Sequence, residues 1–133
     1  MTTILCVEDN PDNMLLAKRV LQARGYIVLE APDATQGITL AETRDVDLIL
    51  LDINLPDVSG YEVARRIRSS WKPELAEVPI IAITANALRG DAEKALASGC
   101  NIYMSKPFNI HELWARVEAV LNHQPGQVSS MRF

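Results

Sequence analysis

Apolar residues along the chain fall into five short continuous runs, separated by stretches with a helical repeat. The runs are Thr3–Val7, Ile27–Ala31, Leu48–Leu51, Pro79–Ile83 and Ile102–Met104. Being continuous rather than alternating, most of them predict strands covered on both faces. Between them, helical spacing predicts Pro11–Arg24, with Met14, Ala17, Val20 and Leu21 on one side and Gly25 as the stop. It also predicts Ala34–Glu42 and Tyr61–Ser69, the latter turning Val63, Ala64 and Ile67 to a sheet. The fourth predicted helix, Ala87–Ser98, is weakly apolar and contains Gly90, which implies marginal local stability. The fifth, Ile110–Asn122, is the clearest, with Ile110, Leu113, Trp114, Val117, Val120 and Leu121 at helical intervals. The connection Ser69–Val78 reads as a loop in which Trp71 is a packing residue. Strict alternation of strand and helix implies a parallel sheet between helices, joined by right-handed crossovers.

Length and composition narrow this picture. The 133 residues suit one domain, expected over 1–122, followed by a loose tail at 123–133 without periodicity. Seventeen acids against thirteen bases give a net charge of −4, with no basic run, so nucleic acid is not an expected partner. The start lacks a basic n-region, and no run approaches the length needed to cross a bilayer, so neither export nor a membrane is expected. The chain reads as cytoplasmic. Cys6 and Cys100 lack metal-ligand spacing and read as small buried hydrophobes; His111 and His123 read as surface residues.

In an open parallel sheet, ligands bind beyond the carboxyl ends of the strands. There the sequence places Glu8, Asp9 and Asn10 after the first strand, and Asp52, Ile53 and Asn54 after the third. The fourth closes with Thr84, Ala85 and Asn86, and the fifth with Ser105, Lys106, Pro107 and Phe108. The turn after the first strand has no glycine, which excludes both a dinucleotide fingerprint and a phosphate-cradling loop. It offers acid instead. Taken singly, Asp9 or Asn10 would cap the first helix ahead of Pro11, and Lys106 would be a surface lysine. Together they make a pocket. Two carboxylates about 4 Å apart repel by roughly 4 kcal/mol at an effective dielectric near 20, so Glu8, Asp9 and Asp52 need cationic compensation. Lys106 supplies part, and a hard divalent cation such as Mg²⁺ with a phosphoryl group would supply the rest.

Glu8-Asp9, Asp52, Thr84-Ala85 and Lys106-Pro107, with LILLDINLPDVSGYEVARRIR and PIIAITANA around them, resemble the receiver domain of two-component response regulators from Thr3 to Leu121. The resemblance implies a flavodoxin-like, doubly wound (βα)₅ fold with strand order 2-1-3-4-5. It implies that Asp52 accepts a phosphoryl group from a phosphohistidine of a histidine kinase or histidine phosphotransfer protein. Asp9 and Asp52 would bind Mg²⁺ directly, Glu8 through water and Asn54 through its carbonyl. Lys106 would pair with Asp52 and then bind phosphoryl oxygens, as would the Thr84 hydroxyl and the Ala85 N–H, and Pro107 is a candidate for a cis bond. Asn54 and Asn86 are candidates for tuning the acyl-phosphate lifetime. Tyr103 would follow Thr84 and switch the face formed by the fourth helix, fifth strand and fifth helix. Asn13, Met14, Pro107 and Phe108 are expected to dock the histidine donor.

The implied order also sets Cys6 on the central strand near its carboxyl end and Cys100 at the opposite end of the sheet, too far for a disulfide. The chain is expected to be a phosphoacceptor rather than an enzyme, a monomer or weak dimer, and to stand alone without a DNA-binding output domain. Two rivals differ in class. A haloacid dehalogenase-like phosphatase would carry an acid two residues after its nucleophile, where this chain has Asn54. A pure interaction module would never be phosphorylated.

Overall fold

The computed structural model describes residues 1–85, 90–107 and 109–122. Five parallel strands, β1 (Thr3–Val7), β2 (Ile27–Ala31), β3 (Leu48–Asp52), β4 (Ile80–Thr84) and β5 (Ile102–Ser105), form one sheet in the order β2-β1-β3-β4-β5. The helices are α1 (Pro11–Gln22), α2 (Ala34–Thr43), α3 (Gly60–Arg68), α4 (Pro73–Ala76), α5 (Asp91–Ala97) and α6 (Ile110–Leu121). The fold is the expected flavodoxin-like one.

Successive strand residues point to opposite faces, and here both faces are dry. Ile4, Cys6, Leu48, Leu50, Ile81, Ile83, Ile102 and Met104 pack with Met14, Ala17 and Leu21 of α1 and Leu113 and Val117 of α6. Leu5, Val7, Ile49, Leu51, Ile80 and Ala82 pack with α2, α3, α4 and α5 on the other side. This is why the sequence shows runs instead of alternation. Strand order reverses between β1 and β3, and the loops leaving those two strands diverge there into a crevice.

Several boundaries differ from the sequence reading. β3, β4 and β5 each run one residue further, because Ile53 N–H bonds Ile83 O at 2.9 Å and Lys106 N–H bonds Thr84 O at 2.7 Å. Asp52 and Thr84 therefore sit inside the ladder, held by it. The Ser69–Val78 connection contains the short helix α4, started by Pro73. Trp71 does not pack: it is 78% exposed, and Leu75 and Val78 fill the buried positions of that connection. Of the fourth predicted helix, α5 is the described part and buries only Ala95; residues 87–89 lie outside the described residues. Ile110, expected on the inner face of α6, is 40% exposed at its first turn.

The amino end of the sheet is closed by one arginine. Arg68 Nε donates to Gly99 O at 2.9 Å, Nη1 to Ala76 O and Val78 O, and Nη2 to Asn101 Oδ1 at 2.9 Å. Gly99 has φ +108°, and a Cβ there would lie 2.6 Å from Arg68 Cγ, so only glycine fits. Both cysteines are buried and free, and burial pushes each thiol up to about 12. Among the described residues, no helix is long and apolar enough to cross a membrane.

Candidate functional site

Asp52 closes β3 with 3% of its surface exposed, although it carries a carboxylate. Strand alternation continues past the ladder ends and sets Glu8, Asp52 and Lys106 in phase with the α1–α6 face. The structure brings them together there. Asp52 Oδ2 lies 3.3 Å from Lys106 Nζ, and Glu8 Oε1 lies 2.7 Å from the same nitrogen. Glu8 is thus the nearer partner of the lysine, ahead of Asp52, the partner that the family resemblance implies.

The remaining oxygens are also engaged. Asp52 Oδ1 accepts from the Asn54 N–H at 2.9 Å, and Glu8 Oε2 accepts from the Asn10 N–H at 3.1 Å. Asn10 caps α1, accepting from the Asp12 and Asn13 N–H groups, which leaves Asp9 exposed beside the pocket. Carboxylate oxygens of Glu8, Asp9 and Asp52 come within 4.8 Å of one another.

Burial foremost, reinforced by neighbouring Asp52, pushes the Glu8 carboxyl up to about 7, against opposing hydrogen bonds from Lys106 and the Asn10 N–H. For Lys106 the balance goes the other way. Burial disfavours its charge, but the hydrogen bond to Glu8 and the Asp52 and Glu8 charges hold its pKa above the ordinary lysine value. Three carboxylates facing one ammonium leave formal negative charge in a half-closed pocket of oxygen donors. That donor set fits a hard divalent cation.

Thr84, 1% exposed, lies in the other strand phase and donates its hydroxyl to Asn54 Oδ1 at 3.0 Å. Ala85 follows it at the exposed rim. Tyr103 shares that phase, pairing with Ala82 in register and packing half-buried against the α2–α3–α5 side. The Lys106–Pro107 peptide is cis. Asn86 and Phe108 lie outside the described residues.

Met14 is turned into the core at 7% exposure, because it heads the buried stripe Met14–Ala17–Leu21 of α1. This corrects the expectation that Met14 docks a partner. The neighbouring Leu15 and Leu16 face out instead, at 45% and 44% exposure. Beside Leu15 a groove of about 470 Å³, lined by Pro11, Leu15, Glu30 and Pro32 with the edge of Met14 at its base, runs down to Glu8 and Asp9.

Two residues of the β3–α3 connection escape a reading of the sequence. A Cβ on Gly60 would lie 2.5 Å from Asp52 O and 2.6 Å from Ile53 Cα, so the loop closes against the back of Asp52 only because residue 60 is glycine. Asp57, at the loop's tip, reaches across to α2. Both lie inside the stretch LILLDINLPDVSGYEVARRIR, but nothing in it tells what either residue touches.

The family model of the response regulator receiver domain matches residues 4–118. The chain belongs to that family. This receiver domain is 36% identical over 119 residues to the polar-differentiation response regulator DivK of Brucella ovis, covering 90% of this chain and 95% of the relative. A solved receiver domain of a Pseudomonas aeruginosa PAO1 sensor histidine kinase, with a magnesium ion in its active-site cleft, is 40% identical. It superposes with a TM-score of 0.84 over 92% of this chain and 98% of its own. The response regulator TrrA of Thermotoga maritima, solved with Mg²⁺ and BeF, is 33% identical with a TM-score of 0.78, over 90% and 98% of the two chains. Receiver domains are signalling modules of two-component systems, and this one carries the acidic cluster that such a module needs to hold a metal.

Proposed function

We propose that this receiver domain takes a phosphoryl group onto Asp52 from a phosphohistidine of a histidine kinase or histidine phosphotransfer protein, with Mg²⁺ bound, and thereby switches a protein-binding face. The observation that carries the reading is the buried Asp52 carboxylate 3.3 Å from Lys106 Nζ, with Glu8 and Asp9 gathered beside it. An Asp52 oxygen attacks phosphorus and the P–N bond breaks. The donor imidazole leaves with the electron pair and takes up a proton. Such transfer depends on positioning and charge neutralisation more than on covalent assistance.

The ladder and the Asn54 N–H fix the Asp52 carboxylate, and Lys106 stands ready to meet the phosphoryl oxygens. The Thr84 hydroxyl exchanges Asn54 for a phosphoryl oxygen, and the Ala85 N–H meets another. Asp9 and Asp52, Glu8 through water and the Asn54 carbonyl would hold Mg²⁺, which neutralises charge on the transferring group when bound. Asn54 and Asn86 tune the lifetime of the acyl phosphate. Once Thr84 turns to the phosphoryl group, Tyr103 moves inward and alters the α5–β5–α6 face, where a downstream protein binds.

Asn13, Leu15, Leu16, Pro107 and Phe108 dock the donor. On the same reading residues 1–122 are the receiver; 123–133, where a tail is expected, lie outside the described residues. The protein acts in the cytoplasm as a monomer or weak dimer, as a phosphoacceptor with slow autodephosphorylation. Neither nucleic acid nor membrane is its partner, in keeping with its net charge of −4.

The test is incubation with Mg²⁺ and acetyl phosphate, followed by mass spectrometry. The wild type is expected to gain one phosphoryl mass and Asp52→Asn none. An unaltered wild type, or equal labelling of the variant, overturns the reading.

A further inference from the structure

The loop between β3 and α3, residues 53–59, is pinned at its two ends. Ile53 N–H bonds β4, Asn54 N–H bonds Asp52, and Gly60 N–H bonds Ile53 O at 2.9 Å. In its middle, Leu55 and Val58 pack half-buried against the core, and the exposed Asp57 between them adds a polar tie to α2. Asp57 Oδ1 accepts from the Ala34 N–H at 3.0 Å. Its Oδ2 accepts from the Thr35 N–H at 3.1 Å and the Thr35 hydroxyl at 3.0 Å.

An exposed aspartate ordinarily has water for company; this one has both oxygens occupied by another element. The bonds also divide the work at the α2 terminus. Asp33, the cap residue of α2 itself, reaches the Gln36 N–H at 2.8 Å, and Asp57 takes the two donors before it. A carboxylate suits that place, because the helix terminus presents unpaired N–H groups and positive potential. The anchor is firm. A Cβ on Gly37 would lie 2.9 Å from Val7 Cγ2, so α2 rests almost directly on β1, one residue before Glu8.

We infer that Asp57 is a positioning residue for the divalent cation: by tying the loop tip to α2, it holds the Asn54 main-chain carbonyl at the pocket. This rests on the proposed role of Asn54 as a metal ligand. Asn54 is held through its N–H by Asp52 and through its side chain by Thr84, and the chain beyond it is held to α2 by Asp57. Releasing the Asp57 tie loosens the chain that follows the Asn54 carbonyl, and the pocket then has to order that stretch each time a cation binds. The carboxylate is also held well below the ordinary aspartate value, chiefly by the Ala34 N–H, so the tie stays charged at any working pH. Residues that orient metal ligands from behind characteristically change affinity at least about tenfold when removed.

The test compares Asp57→Ala with Asp33→Ala, which weakens the same helix terminus without touching the loop. Mg²⁺ affinity is read by isothermal titration calorimetry, well below both unfolding transitions, and stability by melting temperature. Both variants are expected to melt earlier. Only Asp57→Ala is expected to bind Mg²⁺ about tenfold more weakly, with Asp57→Asn, which keeps one acceptor oxygen, in between.

Wild-type affinity in Asp57→Ala, or equal weakening in Asp33→Ala, overturns the inference alone. If Asp57→Ala does not fold, Asp57→Asn decides in its place: unchanged affinity there overturns the inference in the same way. A wild type that binds no Mg²⁺ overturns the proposed function with it.

Discussion

At the scale of single residues, what distinguishes Asp57 from the other surface acids is that its partners are all backbone or hydroxyl donors of α2 and its own loop. Its folded pKa is lowered from the ordinary 3.8, by the Ala34 N–H first and by Thr35 and Val58 beside it. A depressed carboxyl pKa adds stability that is present above the unfolded value and disappears as pH falls through the folded one. The melting-temperature gap between wild type and Asp57→Ala is therefore expected to be constant near neutrality. It should begin to close as pH falls below about 4; a gap that persists undiminished at pH 2 contradicts this assignment. The same residue marks the limit of sequence reading. Glu8, Asp52, Thr84 and Lys106 are legible because each ends an apolar run, and topology alone sends such residues to one edge. Asp57 follows no run, and its partners lie 23 and 22 positions earlier, so nothing linear connects them. Met14 is legible as core and yet expected at the surface, since helical phase has to decide between two roles for one side chain.

At the scale of elements, the helices are joined to the sheet and to one another by a few polar fasteners set in apolar seams. Trp114 Nε1 donates to Val20 O at 2.7 Å, and Arg24 lies 4.2 Å over the Trp114 ring, joining α6 to α1. Arg68 does more, because one guanidinium serves α3, the end of α4 and the turn before β5. Its removal leaves three carbonyls and an amide oxygen without this donor. Arg68→Ala is expected to lower unfolding free energy by about 2–3 kcal/mol, read from the urea midpoint. Arg68→Lys should recover only a minor part, since an ammonium cannot span a planar fork of acceptors. Full stability in the lysine variant refutes the fork argument. The element pattern itself is readable from periodicity, apart from α4, which is too short to show one. The single-residue extensions of β3, β4 and β5 are not, because they depend on hydrogen bonds between strands rather than on the residues themselves.

At the scale of the whole molecule, the sheet separates two surfaces to which the proposed function gives different duties. On the α1 side, Leu15 and Leu16 stand exposed, and Leu15 lines the groove that leads to the acidic pocket. Replacing both with alanine is expected to slow phosphotransfer from a phosphohistidine protein about tenfold or more, at roughly 1 kcal/mol per lost contact, while labelling by acetyl phosphate stays unchanged. Equal loss with both donors means these leucines support the site rather than the partner. On the α5 side, Tyr103 packs half-buried beside Thr84's strand. Beryllofluoride with Mg²⁺ is expected to shift the Tyr103 ring resonances in nuclear magnetic resonance spectra. Unmoved resonances would sink the proposed coupling between Thr84 and that face.

In mechanical terms the sheet is a cantilever. Arg68 and Gly99 clamp its amino end, with Asn101 bridging to Ile80 N–H at 2.8 Å and Ile80 O at 2.8 Å. Every residue of the acidic pocket lies at the opposite, working end. A surface tether, a fused protein or an affinity tag joined through exposed Trp71, in the connection that follows Arg68, is therefore expected to leave labelling of Asp52 by acetyl phosphate unchanged.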